Sequence, residues 1–348
     1  MPKDQRVYKI FGSPKLKTIG SKMAIKKDRS PSTKKDKYRI HNWRQYNKSV
    51  KNRGSITFWF SPDIIKKWYS KKPSDGPGRP NFYSDDAILC ALMIRAVFHC
   101  KLRQLQGFIE SLIEMLGLDL ECPHYSVFCR RAKKLSIPLS RPFKPGEKLN
   151  IIFDSTGLKV FGEGEWKTRK HGYSKRRTWR KLHVGMCADS GQVIVGALSS
   201  NSVTDDTAMV EMMDCLDEFS LGDVYGDGAY DSIDCRMAIN DRGGRQIIPP
   251  PKNAKASKKD PPACLVERNE AVEKIRKGGE EGRKLWKEEA GYHKRSLVET
   301  LMFRYKANMG GDLRSKIWEN QVTEAMVKLQ VLNKMTGLGM PESYKLVG

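Results

Sequence analysis

An aspartate stands inside a run that otherwise reads as a buried β-strand. Leu149 to Val160 contains Ile151-Ile152-Phe153, and Asp154 follows at once, ahead of Ser155-Thr156-Gly157. A carboxylate in such a place costs several kcal/mol unless it is paired or coordinated to a cation. A chain that keeps it there must supply a partner or turn at that point, and this segment alone leaves both open. The surrounding texture narrows the fold. Strand-like runs at 149–160, 181–188 and 192–199 come in succession from Lys148 onward. A helix over 204–217, a strand at 222–226, a helix over 231–242 and a strand at 245–249 then alternate. Three consecutive strands followed by helix–strand alternation predict a mixed α/β sheet.

A second carboxylate sits at a strand end. In Val224-Tyr-Gly-Asp-Gly-Ala-Tyr-Asp231, Asp227 lies between Gly226 and Gly228 at the carboxyl end of a short apolar run, where α/β sheets place their sites. The flanking glycines let a ligand approach the backbone. Asp231 reads as the N-cap of the following helix, and Asp223 opens the strand from its far end. A third group is helical. Tyr292, Arg295, Glu299 and Lys306 fall, at about 100° per residue, within one stripe of roughly 60°. Leu297, Val298, Leu301 and Tyr305 back that stripe and can pack on the sheet. An exposed face of mixed charge is the plain alternative. Two strand carboxylates nearby favour Glu299 as the third member of a cation cage, with Arg295 and Lys306 placed to grip phosphates. Three hard oxygen donors suit divalent cations, and two such ions about 4 Å apart serve phosphodiester chemistry.

The charge points the same way. The 348 residues hold 64 Lys and Arg against 40 Asp and Glu, a net +24, which implies a polyanionic partner. Residues 1–53 alone carry 17 basic side chains and 3 acids. A basic arm is expected at 1–37, either solvated or bound to phosphates. From Tyr38 to Tyr69 the aromatics Trp43, Tyr46, Phe58, Trp59 and Trp68 interleave with bases, suiting a sugar-phosphate backbone or a core. Helices are expected at 85–99 with Ser84 as N-cap, at 101–116 ending at Gly117, and at 123–135. The last, carrying Arg130 and Arg131, suits the recognition helix of a helix-turn-helix module or the basic end of a plain bundle. Between the first two strands, Lys167, Arg169, Lys170, Lys175, Arg176, Arg177, Arg180 and Lys181 form an acid-free run beside Trp166, Tyr173 and Trp179, a candidate DNA clamp. The longest apolar stretch, Ala87 to Phe98, is broken by Arg95 and too short for a bilayer, so no membrane partner is expected. Eight scattered cysteines without a Cys-x-x-Cys pair predict reduced thiols in a cytoplasmic compartment. Cys122, His124 and Cys129 lack the spacing and the fourth ligand of a zinc site.

These residues resemble the DDE transposases of bacterial insertion sequences, in the branch marked by Tyr-x2-Arg-x3-Glu-x6-Lys, which here reads Tyr292, Arg295, Glu299, Lys306 without departure. Phe153-Asp154-Ser-Thr-Gly-Leu-Lys, Arg177-x-Trp-Arg-Lys-Leu-His183, Gly226-Asp227-Gly-Ala-Tyr-Asp231 and the segment around Gly78-Arg-Pro80 are also similar to that family. The likeness is strongest to the insertion-sequence-five family and covers about 40–340. It implies an RNase H-like catalytic domain at 148–251 and 291–340, preceded by a small all-α, helix-turn-helix-like DNA-binding domain at 38–140. It implies Asp154, Asp227 and Glu299 as catalytic metal ligands for two Mg²⁺ ions, with Mn²⁺ as substitute. The implied partners are double-stranded DNA, as terminal inverted repeats and target, and at least a second copy of the chain during the reaction. A bacterial cytoplasm and nucleoid association follow from the same resemblance. The Lys-rich, largely helical segment at 252–290 is expected to be an insertion, and Trp286 in it either stacks on a distorted base or packs. A metal-dependent nuclease of the same fold and a non-catalytic DNA-binding protein are the competing functions.

Overall fold

The computed structural model describes residues 38–71, 81–139, 147–160, 179–256 and 260–346. The arm expected at 1–37 and the cationic run from Lys167 to Arg177 lie outside these residues. In chain order come β1 (Tyr38–Ile40), α1 (Trp43–Arg53), α2 (Ile56–Trp59), α3 (Pro62–Lys66), α4 (Asp85–Val97), α5 (Leu102–Met115) and α6 (Tyr125–Ala132). Then follow β2 (Lys148–Val160), β3 (Trp179–Cys187), β4 (Val193–Ser200), α7 (Asp205–Asp214), β5 (Ser220–Tyr225), α8 (Ile233–Asn240) and β6 (Arg245–Ile247). The chain closes with α9 (Ala263–Lys277), α10 (Gly282–Glu289), α11 (Ser296–Met309), β7 (Asp312–Leu313), α12 (Trp318–Gly337) and β8 (Ser343–Lys345). Residues 42–342 form one compact unit, and β1 and β8 belong to another, where Tyr38 pairs with Lys345, Arg39 with Tyr344 and Ile40 with Ser343.

The mixed sheet forms as the hydrophobic pattern predicts, in the order β4-β3-β2-β5-β6, with β7 extending the end of β2. β3 runs antiparallel to both β2 and β4; β5 is parallel to β2, and β6 to β5. Alternation along the strands gives the sheet two apolar faces. Ile152, Leu158, Leu182 and Val184 pack with Val298, Leu301 and Tyr305 of α11 and Val327 and Leu329 of α12. Ile151, Phe153 and Val195 pack with Met209, Met212 and Met213 of α7 and Cys235 and Ile239 of α8. Both faces are covered, so the sheet is a central layer.

The early helices share the first of these cores. Ser84 Oγ accepts from the Ala87 amide at 3.0 Å, and Asp85 and Asp86 occupy the first turn of α4, where the helix dipole favours them. Seven of α4's residues are buried, so it sits inside the helical layer rather than on it. Gly117, at φ +58°, ends α5 in a conformation other residues adopt at a penalty. α6 is shorter than the expected 123–135: His124 is its N-cap, so Pro123 precedes the helix, and it stops at Ala132. Trp59 and Trp68 are core residues, whereas Tyr38 and Trp43 are exposed.

α12 joins the two halves. Twelve of its twenty residues are buried. Thr323 Oγ1 donates to the Ala132 carbonyl at 2.6 Å on one side. On the other, the Asn333 amide both donates to and accepts from the Val193 backbone at 2.7 Å, as a neighbouring strand would. One buried core therefore crosses the sequence boundary near 140–148. Among the described residues no helix is long and apolar enough to cross a membrane, and none of the eight cysteines is in a disulfide.

Candidate active site

Parallel pairing of β2 with β5 places Ile151 opposite Val224 and Ile152 opposite Tyr225. Asp154 and Asp227 each lie two residues beyond the second of these pairs, so register sets Asp154, midway along β2, beside Asp227, just past the end of β5. Asp227 caps a 3₁₀ turn, Gly228–Tyr230, its Oδ1 accepting from the Ala229 amide at 2.8 Å. Gly226 serves a purpose the sequence does not reveal. A Cβ there would lie 2.9 Å from the ring of Tyr230, which is buried beneath it, so the glycine admits the chain's own tyrosine rather than a ligand.

The third carboxylate arrives on α11. The continuous helix expected from Tyr292 to Lys306 is broken: Tyr292–Arg295 is a 3₁₀ turn, entered through Gly291 at φ +69°, and the α-helix begins at Ser296. Val298, Leu301 and Tyr305 are buried as expected, but Leu297, in the first turn of α11, is 43% exposed. Arg295 reaches inward. Its Nη1 lies 2.6 Å from Glu299 Oε1, and its Nη2 lies 3.4 Å from Asp154 Oδ2 and 3.8 Å from Asp227 Oδ2. Asp154, Asp227 and Glu299 thus converge from two strands and a helix upon one guanidinium.

Burial pushes the Asp154 carboxyl above the usual aspartate range, and Asp227 and Glu299 push the same way; Arg295 and the Ser155 amide only partly offset this. For Arg295, burial pulls downward, but Asp154, Tyr292, Glu299 and Asp227 together raise it. Burial likewise raises Tyr292, whose ring has Lys287 Nζ 5.0 Å from its centre. A separate cavity of about 360 Å³, lined by Leu92, Phe128, Met309 and Val327 among others, touches none of the three carboxylates.

A family model described as a transposase DDE domain matches residues 145–334, more than half of the chain. The chain belongs to the DDE transposase family. A second model of the same description matches residues 51–163 of this DDE-family chain. Among solved structures, a piggyBac transposase synaptic complex with hairpin DNA is similar at 12% identity and a TM-score of 0.37, over 82% of this chain and 75% of that one.

The remaining expected site residues are scattered. Lys306 and Arg130 stand on separate helices, Lys306 on α11 and Arg130 on α6, and Lys306 is exposed. Arg131 is tied inward: it donates to the Tyr83 carbonyl at 2.8 Å and pairs with Asp85 at 2.5 Å, fastening α6 to the start of α4. Arg180 and Lys181, the described end of the cationic run, belong to β3 rather than to a loop. Arg180 donates to Gln321 Oε1 at 3.0 Å and lies over Trp318, while Lys181 holds the Val203 carbonyl and Asp205. Trp286 is buried against Tyr292, ring centres 6.2 Å apart. Asp231 is not the cap of α8; Ser232 is, and Asp231 is a buried anion between Arg236 at 2.6 Å and Arg268 at 3.0 Å. Asp223 does not open its strand; it lies within β5 and pairs with Arg245. His183, which closes the Arg177-x-Trp-Arg-Lys-Leu-His183 motif, is fully buried on β3, with Nε2 2.8 Å from Ser199 Oγ and Nδ1 3.5 Å from Asp205.

Proposed function

We propose that this chain is the transposase of a bacterial insertion sequence, in the insertion-sequence-five branch. It binds the terminal inverted repeats of its element, cleaves the DNA and joins the 3′ ends to target DNA by two-metal phosphoryl transfer. The observation that carries this reading is the convergence of Asp154, Asp227 and Glu299, far apart in sequence, within the matched family domain. The RNase H-like assignment of 148–251 and 291–340 rests on that convergence at the end of a mixed sheet. A DNA-binding role for 38–140, and an insertion at 252–290, complete the proposed organisation.

The donor set fits hard divalent cations. Three carboxylates surround one guanidinium, leaving two negative charges over, and all the donors are hard oxygens. Asp154, Asp227 and Glu299 would hold two Mg²⁺ ions, with Mn²⁺ as substitute. Such ions, when bound, supply activation of an attacking water or 3′-hydroxyl and stabilisation of the leaving oxygen. The chain's own residues bind and orient the DNA. Arg130, Lys306 and the run from Lys167 to Arg177 neutralise backbone phosphates, while Tyr292 lines the approach to the carboxylates. A second copy brings the other element end, and the setting is the nucleoid of a bacterial cytoplasm.

Labelled end DNA incubated with the chain and Mg²⁺ should yield a product joined to target DNA. Cut but unjoined ends would replace this reading with a nuclease of the same fold. Neither product, with DNA still bound, would leave a non-catalytic DNA-binding protein.

A further inference from the structure

Arg295 occupies the point where a cation belongs. Its two terminal nitrogens are shared among three carboxylates: Nη1 with Glu299 at 2.6 Å, Nη2 with Asp154 at 3.4 Å and Asp227 at 3.8 Å. The Nε is buried without a hydrogen-bond partner. Strong arginine–carboxylate pairs are two-pronged; here each carboxylate meets a single nitrogen, and two of the three distances exceed an ordinary hydrogen bond. Among the described residues no three acidic, histidine or cysteine side chains are gathered closely enough to hold a metal ion. The guanidinium therefore does two things at once. It offsets the mutual repulsion of three anions, and it stands between them.

The hold is weak. The contact to Glu299 is an i,i+4 pair with Glu299 59% exposed, a kind of pair that solvent screens to a small net contribution. The aspartate contacts are stretched, and two negative charges remain uncompensated. A divalent cation brings twice the charge in a smaller volume and can bind oxygens at about 2.0–2.6 Å, closer than any nitrogen here approaches Asp154 or Asp227.

We propose that Arg295 is an exchangeable counter-ion of the three carboxylates: a positioning residue that holds Asp154, Asp227 and Glu299 together and gives way when divalent cations bind them. The inference rests on the metal role proposed above for the three carboxylates. It also agrees with the phosphate grip expected of this side chain: once divalent cations take over the carboxylates, the freed fork is available to a phosphate oxygen.

The test is Mn²⁺ binding to the full chain by calorimetry, with thermal melting in EDTA and in saturating Mn²⁺. Arg295→Gln should bind Mn²⁺ several-fold more tightly than the wild type, because no internal cation has to be displaced. It should also melt lower in EDTA and regain wild-type melting in Mn²⁺, which a purely structural residue would not do. Asp154→Asn should lose most Mn²⁺ binding. Unchanged or weaker binding by Arg295→Gln, with Asp154→Asn still defective, overturns the counter-ion role and leaves the carboxylate assignment intact. Equal binding by Asp154→Asn and wild type overturns the assignment beneath it. Should Arg295→Gln fail to fold, the side-chain Nε–H resonance of Arg295 in the wild type decides. It should move as Mg²⁺ is added, and a resonance unmoved through saturation rejects the exchange.

Discussion

At Gly226 one hydrogen atom decides whether the loop bearing Asp227 can close over Tyr230. A methyl group there would meet the tyrosine ring at 2.9 Å, and the ring is buried on all sides. Gly226→Ala is expected to destabilise the chain by about 1–3 kcal/mol, the usual penalty for overpacking; urea denaturation with an unshifted midpoint would show that the ring yields. The carboxylates themselves should behave differently. Asp154→Asn, Asp227→Asn and Glu299→Gln should each abolish cleavage in Mg²⁺ while gel-shift affinity for DNA stays close to wild type, and cutting by any one of them would remove that residue from the proposed triad. The positions of these three were legible in the sequence, Asp154 from a strand-like run, Asp227 from a strand end and Glu299 from a helical stripe. What Arg295 touches was not, since its contacts to Asp154 and Asp227 depend on how strand ends and helix meet in space.

Elements were legible where hydrophobic periodicity is strong. The strands fall within a few residues of the expected bounds because alternation fixes both faces, whereas the ends of α6 and the 3₁₀ break at 292–295 depend on local capping and winding. The start of α8 shows what periodicity misses. Asp231 has the position of a cap, yet its partner Arg268 lies 37 residues away, within the 252–290 segment. Loss of a cap costs about 1 kcal/mol, whereas removing one partner of a buried ion pair costs about 3–5 kcal/mol. Asp231→Asn should therefore fall in the larger range by chemical denaturation, and a loss near the smaller value would restore the capping role. Glu324 on α12 supplies the pH-dependent counterpart. Burial pushes its carboxyl up, but Lys328, the Arg314 amide and the Ser315 hydroxyl outweigh this and hold it below the ordinary glutamate value. Its stabilising contribution is thus present above that ordinary value and lost as the pH falls through the lower folded one. Melting temperature plotted against pH should fall less steeply on the acid side in Glu324→Gln than in wild type; parallel curves would mean that other carboxylates govern the acid limb.

Across the whole molecule the charge is lopsided, with 17 of 64 basic side chains in the first 53 residues. Removing residues 1–37 should weaken binding to all DNA sequences about equally and reduce the slope of log affinity against log salt by about 0.9 for each phosphate that the arm no longer neutralises. An unchanged slope would make the arm a solvated tail. The core that the early helices share with α12 has a consequence of another kind, for the chain while it is being made. α4 and α6 are synthesised early, but the helix that covers them, α12, begins only at Trp318. At about 5–20 residues per second, the more than two hundred residues between α4 and α12 take on the order of ten to forty seconds to emerge. During that interval the apolar sides of α4 and α6 that meet α12 have no partner. Nascent chains stalled or cut short before Trp318 should consequently bind chaperones or aggregate, while those released only a few tens of residues later bury the same surface.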